Sequence, residues 1–361
     1  MHWQDSTKPD GRQLTLYAHL PLEGTIEAPS PFALPLGSSP HLRWHPLRGE
    51  WVTYAAYRQA RTFLLPPEYN PLAPTTDAAH PTEVPQGAWD IAVFDNRFPA
   101  LGGATAEAPL LIVPTAPATG HCEVVVCSRD AKAPLGALPL AHLDLLMQVW
   151  ADRTHRLARR GDIAFVLPFE SRGSEVGVTL HHPHGQIYAY PAVPPVPARM
   201  QHEAQQHLSK TGVGRLQQHI AAEERAGTRM LYQGAHAVAF VPVCARYPYE
   251  VWVAPRETVE SFGHLSAPQR GDLSRAVKTV LMKFDGLWQC PLPYLMAWFQ
   301  APTDGRPHPE SHLHAEFYPP YRTPDRLKIL AGTELAAGFY AMDALPEEKA
   351  RELQQVEVSI E

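Results

Sequence analysis

The chain has 361 residues, 45% hydrophobic and 19% charged, an ordinary balance for a globular protein that buries a sizeable core. Its net charge of −6, with no basic tract, argues against nucleic acid or an anionic membrane as the main partner. No stretch reaches the ~18 consecutive apolar residues that a membrane span needs.

The 38 prolines favour short strands and rigid loops over long helices, and the 19 histidines gather near residues 181–184 and 308–314. Cys122, Cys127, Cys244 and Cys290 lie far apart without a Cys-x-x-Cys pair, which argues against a disulfide scaffold or a cysteine-rich zinc site. The first residues, Met1-His2-Trp3-Gln4-Asp5, carry no basic segment before an apolar run, so no secretory signal is expected and the cytoplasm is the default.

Taken in order, residues 1–40 are polar and proline-rich and read as an arm over the body. Residues 41–52 read as strand, turn and strand, with Arg48-Gly49-Glu50 as the turn. Arg58 and Arg61 follow, three apart, before a proline-rich loop to about residue 88; unaided, such arginines read as solvated surface. Residues 89–94 alternate like a strand that Asp95-Asn96-Arg97-Phe98-Pro99 closes, by itself a turn with core aromatics. Residues 123–126 form the next strand. Over 138–160, Leu143, Leu146, Met147, Trp150 and Leu157 fall at helical spacing, and Gly161 ends the helix. Residues 163–167 return as a buried strand, followed by a polar loop, Phe169-Glu170-Ser171-Arg172-Gly173.

Val176-Gly177-Val178-Thr179-Leu180 then runs into His181-His182-Pro183-His184-Gly185-Gln186-Ile187-Tyr188, together read as a strand with a polar cluster. Side chains alternate along an extended chain, so His182, His184 and Gln186 project to one side. Pro183 lacks an N–H and suits a regular central strand poorly. Gly185 would let the backbone approach a bulky ligand. An imidazole near its own pKa can attack phosphorus as a neutral nucleophile and leave again. The same histidines could instead ligate a metal or form a structural cluster, and the segment alone does not choose.

Pro194, Pro195 and Pro197 mark a domain boundary, with a helix expected from about 198 to 225. The second half then repeats the first. Glu250-Val251-Trp252-Val253 echoes Glu123-Val124-Val125-Val126, and Ser266-x-x-Gln269 is a capping box before a second amphipathic helix. His312-Leu313-His314-Ala315-Glu316-Phe317-Tyr318 repeats the pattern that begins at His182. Only the first copy keeps Pro and Gly around its second His, which assigns the chemistry there. A last helix is expected near Pro346-Glu347-Glu348.

The run from Gly177 to Ala189, with His-Pro-His-Gly-Gln at its centre, resembles the active-site signature of galactose-1-phosphate uridylyltransferases, of the histidine-triad superfamily. The resemblance spans about residues 41–345. It implies a duplicated α+β fold, an antiparallel half-barrel sheet with flanking helices, split into an arm (1–40) and two histidine-triad-like halves (41–195 and 196–361). It also implies a homodimer with shared sites and a two-step exchange. His184 would take UMP from UDP-glucose and pass it to galactose 1-phosphate, with His182 holding the segment and Gln186 donating to phosphoryl oxygens. The substrate-binding set implied by the match is Arg58, Arg61, Phe94, Asn96, Arg97, Phe98, Ser171, Arg172, Gly173, Thr179, Lys328 and Glu334. Asn96 and the two phenylalanines would lie against uracil and ribose, with Arg97 where some relatives carry Asp. Ser171-Arg172-Gly173 replaces a more usual Asn-Lys-Gly but keeps the positive charge. Lys328 and Glu334 would meet the sugar phosphate.

The metal sites of the family look eroded. Asn70 and Ala73 stand where zinc-containing relatives have cysteines and Ala131 where they have a histidine, leaving His182. Phe299 and Glu316 stand at two histidine positions of the iron site, leaving His314. No cofactor is therefore expected. The alternatives are a phosphorylase of ADP-glucose or diadenosine-tetraphosphate type, and a nucleotide-sugar binding module without catalysis.

Overall fold

Short runs of β-branched and aromatic residues pair into one large antiparallel sheet. A computed structural model describes residues 1–24, 26–35, 39–60, 69–102 and 107–360. The elements in order are β1 (His2–Thr7), β2 (Gln13–Ala18), β3 (His41–His45), β4 (Glu50–Tyr54), β5 (Ile91–Asp95), β6 (Thr115–Pro117) and β7 (His121–Val126). They continue with α1 (Leu140–Ala158), β8 (Phe165–Arg172), β9 (His184–Tyr190), α2 (Pro195–Thr211), α3 (Arg215–Ala226), β10 (Met230–Gln233) and β11 (Ala237–Phe240). The last are β12 (Val251–Pro255), α4 (Ala267–Leu287), β13 (Tyr294–Phe299), β14 (His314–Tyr318), β15 (Tyr321–Thr323), β16 (Arg326–Leu327) and α5 (Pro346–Gln354).

The main sheet runs β1-β2-β5-β7-β9-β8-β13-β14-β12-β11-β10. Its order is mirrored about the β8–β13 junction: β5-β7-β9-β8 on one side answers β11-β12-β14-β13 on the other. This is the internal duplication read as architecture. Gln186 pairs with Val124, and its counterpart Glu316 pairs with Trp252. The repeat therefore aligns Glu123 with Val251, one residue away from the Glu250 that the sequence echo suggested. Sheet pairing fixes register through the face each side chain takes, which local similarity does not see.

One face of the sheet packs on α1 and α4, where Val125, Val166 and Ile187 meet Leu146, Trp150, Val280 and Phe284 in the main core. The Ser266 capping box is present, its side chain accepting from the N–H of Gln269. On the opposite face of the second half, Ile220 of α3 packs on Val238 and Phe240. The corresponding face of the first half carries the cavities described below.

Several boundaries differ from the sequence expectation. The stretch expected as an arm adds β1 and β2 to the sheet edge beside β5. The helix expected from 198 to 225 is two helices, broken after Gly212, which caps α2 in the left-handed conformation (φ 72°). β8 continues through the residues read as a polar loop to Arg172, with Ser171 lining a cavity on one side of the sheet. β9 starts only at His184; residues 177–183 are irregular, as Pro183 and the left-handed Gly177 (φ 83°) require. Among the described residues, no helix is long and apolar enough to cross a membrane.

Candidate functional site

Strand alternation along β9 sends Gly185, Ile187 and Ala189 into the core and leaves His184, Gln186, Tyr188 and Tyr190 half-buried on the other face. His184 is then locked by its own segment. Its Nδ1–H donates to the His182 carbonyl at 2.7 Å, which leaves Nε2 as the atom with a free lone pair. Burial holds its pKa below the ordinary imidazole value, against a smaller upward pull from the His182 carbonyl. The ring is neutral at pH 7, as a nucleophile requires.

His182 is buried and does not share that cavity. Its Nε2 meets the Ser128 carbonyl at 2.7 Å, and its Nδ1 lies 3.0 Å from the Asn70 side-chain nitrogen. The Asn70 amide is oriented in turn, its oxygen accepting from the Leu72 N–H at 3.0 Å. Asn70 thus clamps the ring of His182, and the backbone of His182 clamps the ring of His184. Neither Asn70 nor Ser128 was singled out from sequence as supporting this histidine. Their partners lie 112 and 54 residues away.

His184, Gln186 and Thr179 stand where two cavities meet. The narrower, of about 140 Å³, is walled by Phe94, Phe98 and Phe32 with Asn96 and Arg97. Asn96 donates to Gln186 Oε1 at 3.3 Å and accepts from the Phe98 N–H at 2.8 Å, so the turn and the strand are tied together. The wider, of about 410 Å³, is lined by Arg58, Phe169, Ser171, Val178 and Tyr188. Arg58 donates to the Phe98 carbonyl. Arg61 lies outside the described residues.

Four expected site residues are elsewhere. Ser171 faces the wide cavity, so the next residue of the strand, Arg172, points to the other side. There it pairs with Asp285 at 2.5 Å and donates to the Leu292 carbonyl, so its charge is not offered to a phosphate in the cavity. Gly173 makes the turn after β8 at φ 99°, with no room for a Cβ beside Pro293 (2.6 Å). Lys328 and Glu334 lie 3.7 Å apart and line neither cavity. Gly185 also has a different reason from the one expected. A Cβ there would come within 2.9 Å of the Phe169 carbonyl on β8, so the glycine serves strand packing rather than ligand approach. Tyr188, Tyr190 and Phe169 were missed, though alternation from His184 would have placed both tyrosines on its face.

The second copy repeats the hydrogen bonds but not the side chains around them. His312 Nε2 meets the Pro255 carbonyl at 2.8 Å, and His314 Nδ1 meets the His312 carbonyl at 2.7 Å. The Glu316 carboxylate, bound to Arg246 at 2.8 Å, stands in place of the Gln186 amide, and Phe299 stacks on His314 at 5.3 Å. A phosphoryl group would meet a negative charge there.

Neither histidine neighbourhood suits a family-type metal. Both ring nitrogens of His182 are hydrogen-bonded, and among the described residues His314 has a single carboxylate beside it, at 3.5 Å. Among the described residues, Asp95, His121 and Glu123 form a three-residue cluster of suitable donors. Arg153 pairs with Glu123, and Arg160 lies 3.2 Å from His121, so guanidinium groups already supply the positive charge.

Comparison with known proteins matches both halves of the chain to one family. The galactose-1-phosphate uridyl transferase N-terminal domain covers residues 33–194, and the C-terminal domain of the same family covers 200–360. The chain is 32% identical to galactose-1-phosphate uridylyltransferase of Thermotoga maritima, over 88% of this chain and 99% of that protein. It is 33% identical to the enzyme of that name from Streptomyces lividans, over 86% of each. A solved uridylyltransferase structure superposes with a TM-score of 0.77 at 30% identity, covering 88% of this chain and 98% of that one. ADP-glucose phosphorylase of Arabidopsis thaliana is more distant, at 23% identity over 89% of this chain and 94% of that protein.

Proposed function

Because this chain belongs to the galactose-1-phosphate uridylyltransferase family, we propose that it exchanges UMP between UDP-glucose and galactose 1-phosphate through a uridylyl group carried on His184. The observation that carries this reading is His184 itself. Its Nδ1 is tied to the His182 carbonyl, and the residue lines both cavities. In the first step the Nε2 lone pair attacks the α-phosphorus, forming an N–P bond as the P–O bond to glucose 1-phosphate breaks. In the second step a phosphate oxygen of galactose 1-phosphate attacks the same phosphorus, and the N–P bond breaks. The narrow aromatic cavity suits the nucleoside and the wide one the sugar phosphate. Gln186 spans both and donates to the phosphoryl oxygens as charge develops.

The proposed assembly is a homodimer in which Lys328 and Glu334 serve the partner subunit's cavity. That neither lines this chain's own cavities supports it, as do the exposed apolar residues Ile329, Leu335 and Phe339 beside them. A cytoplasmic location fits the soluble substrates and the free, buried Cys122 and Cys127.

Single-turnover assays test the reaction. UDP-glucose should label the protein faster than ADP-glucose does, and galactose 1-phosphate should discharge the label faster than inorganic phosphate. Glu334→Ala should slow discharge by about tenfold, the worth of one charged hydrogen bond, while formation stays near normal. Preference for ADP-glucose and phosphate would move the protein to the phosphorylases, and no labelling at all to a binding module.

Neither zinc nor iron is expected to be needed, since Asn70 takes the place beside His182 that a metal would need. Elemental analysis of active protein should show no stoichiometric metal. One tightly held zinc per chain, with activity lost on its removal, would refute this.

A further inference from the structure

The N-terminal turn between β1 and β2 precedes the stretch that the family model covers, which begins at residue 33. It nevertheless packs behind the wall of the narrow cavity. Lys8 is buried, with its ammonium 2.6 Å from Glu83 Oε2 and 4.4 Å from the centre of the Phe94 ring. Arg12 pairs with the same Glu83 oxygen at 2.7 Å and with Asp10 at 2.7 Å. Asp10 also lies 3.4 Å from Arg97 Nη1, and the Arg97 guanidinium sits 4.2 Å from the centre of Phe32. Phe32, Glu83, Phe94, Asn96 and Arg97 all line the cavity.

Counting donors and acceptors shows what this wall can recognise. Lys8 and Arg12 both meet Oε2 of Glu83 and neutralise its carboxylate, and the Phe98 N–H meets the Asn96 oxygen. The Asn96 amide nitrogen is directed at Gln186. Arg97 carries only donors; Nη1 holds the Leu34 carbonyl at 2.8 Å, and Nε has no partner among the described residues. Free hydrogen bonding in the wall is thus weighted toward donors. Uracil presents two carbonyl acceptors to this wall, whereas adenine presents an amino group that adds one more donor beside the guanidinium of Arg97. A site built to bond one such group discriminates strongly against a base that lacks it.

We propose that the N-terminal turn and Phe32 are a working part of the nucleotide pocket, holding Arg97 through Asp10 so that its guanidinium selects a carbonyl-bearing pyrimidine over adenine. Arg97 touches the base; Asp10 and Phe32 are positioning residues that act through it. The cation–ring contact with Phe32 fixes the plane of the guanidinium, and the carboxylate of Asp10 fixes its direction. The inference rests on the uridylyl-transfer reading and adds how the base is chosen.

The test uses the full chain and single-turnover labelling with UDP-glucose and ADP-glucose. Asp10→Asn and Phe32→Leu should each raise the UDP-glucose concentration for half-maximal labelling by about tenfold, with little change in the maximal rate. The preference for UDP-glucose over ADP-glucose should narrow by a similar factor, as it should in Arg97→Ala. Adding Asp10→Asn to Arg97→Ala should narrow it no further, since residues acting through one another are non-additive. Phe32→Leu gives the same readout should Asp10→Asn fail to fold. A wild-type preference for UDP-glucose that Asp10→Asn and Phe32→Leu leave intact, or a loss falling equally on both donors, would overturn this proposal alone. A wild-type preference for ADP-glucose would overturn it together with the uridylyl-transfer reading.

Discussion

His184→Ala protein should gain no UMP mass when incubated with UDP-glucose, and its sugar exchange should fall by at least about four orders of magnitude, as expected when a covalent nucleophile is removed. The wild-type label should map to the peptide containing His184. His182 cannot substitute, because both of its ring nitrogens are hydrogen-bonded in the buried layer behind it. The acid limb of the reaction belongs to the same prediction. The nucleophile is the neutral ring, and burial lowers the His184 pKa. Labelling should therefore hold its rate as the pH falls to about 6.5, the ordinary imidazole value, and decline only below it. A His184→Ala protein that still becomes labelled would remove the residue from the mechanism. A rate already halved above pH 6.5 would contradict the role given to its burial.

Gly185→Ala should be the most damaging change that touches no reacting atom. The added methyl would lie 2.9 Å from the Phe169 carbonyl, and β9 is held on both sides by β7 and β8. Relief requires moving one ladder of hydrogen bonds, at a cost of about 1–3 kcal/mol. The shift falls between His184 and Gln186, so labelling should slow along with the loss of melting temperature. The second copy supplies the control. Ala315 occupies the corresponding place in β14, between Trp298 and Val253, and is fully buried there. Ala315→Gly should lose some stability through backbone freedom while labelling stays near normal, because that copy carries no chemistry. A Gly185→Ala protein as stable and as fast as its parent would show that β8 and β9 separate more easily than this geometry allows.

Much of the site was legible because its signal is local. A five-residue motif, His-Pro-His-Gly-Gln, together with the alternation of an extended chain, is enough to put His184 and Gln186 on one face. The duplication was legible for the same reason, since His312-x-His314 repeats His182-x-His184 in order. Arg172 was misplaced because residues 169–173 read as a loop. Once 169–172 are a strand, the parity that turns Ser171 toward the cavity turns Arg172 away, to Asp285.

The sequence by itself singled out His184 as the candidate nucleophile and showed that the chain is doubled, and its resemblance to the family pointed to the loss of the metal ligands. These depend on residue identity and spacing within a few positions. Tertiary structure alone decided what Asn70 does beside His182 and what completes the pocket. Asn70 reaches His182 across 112 residues, and Lys8 reaches Glu83 across 75. Such partners are chosen by burial, where an unpaired polar group is costly and must find a match wherever the fold brings one. No periodicity along the chain records that pairing, because the constraint acts only after the strands have closed around it.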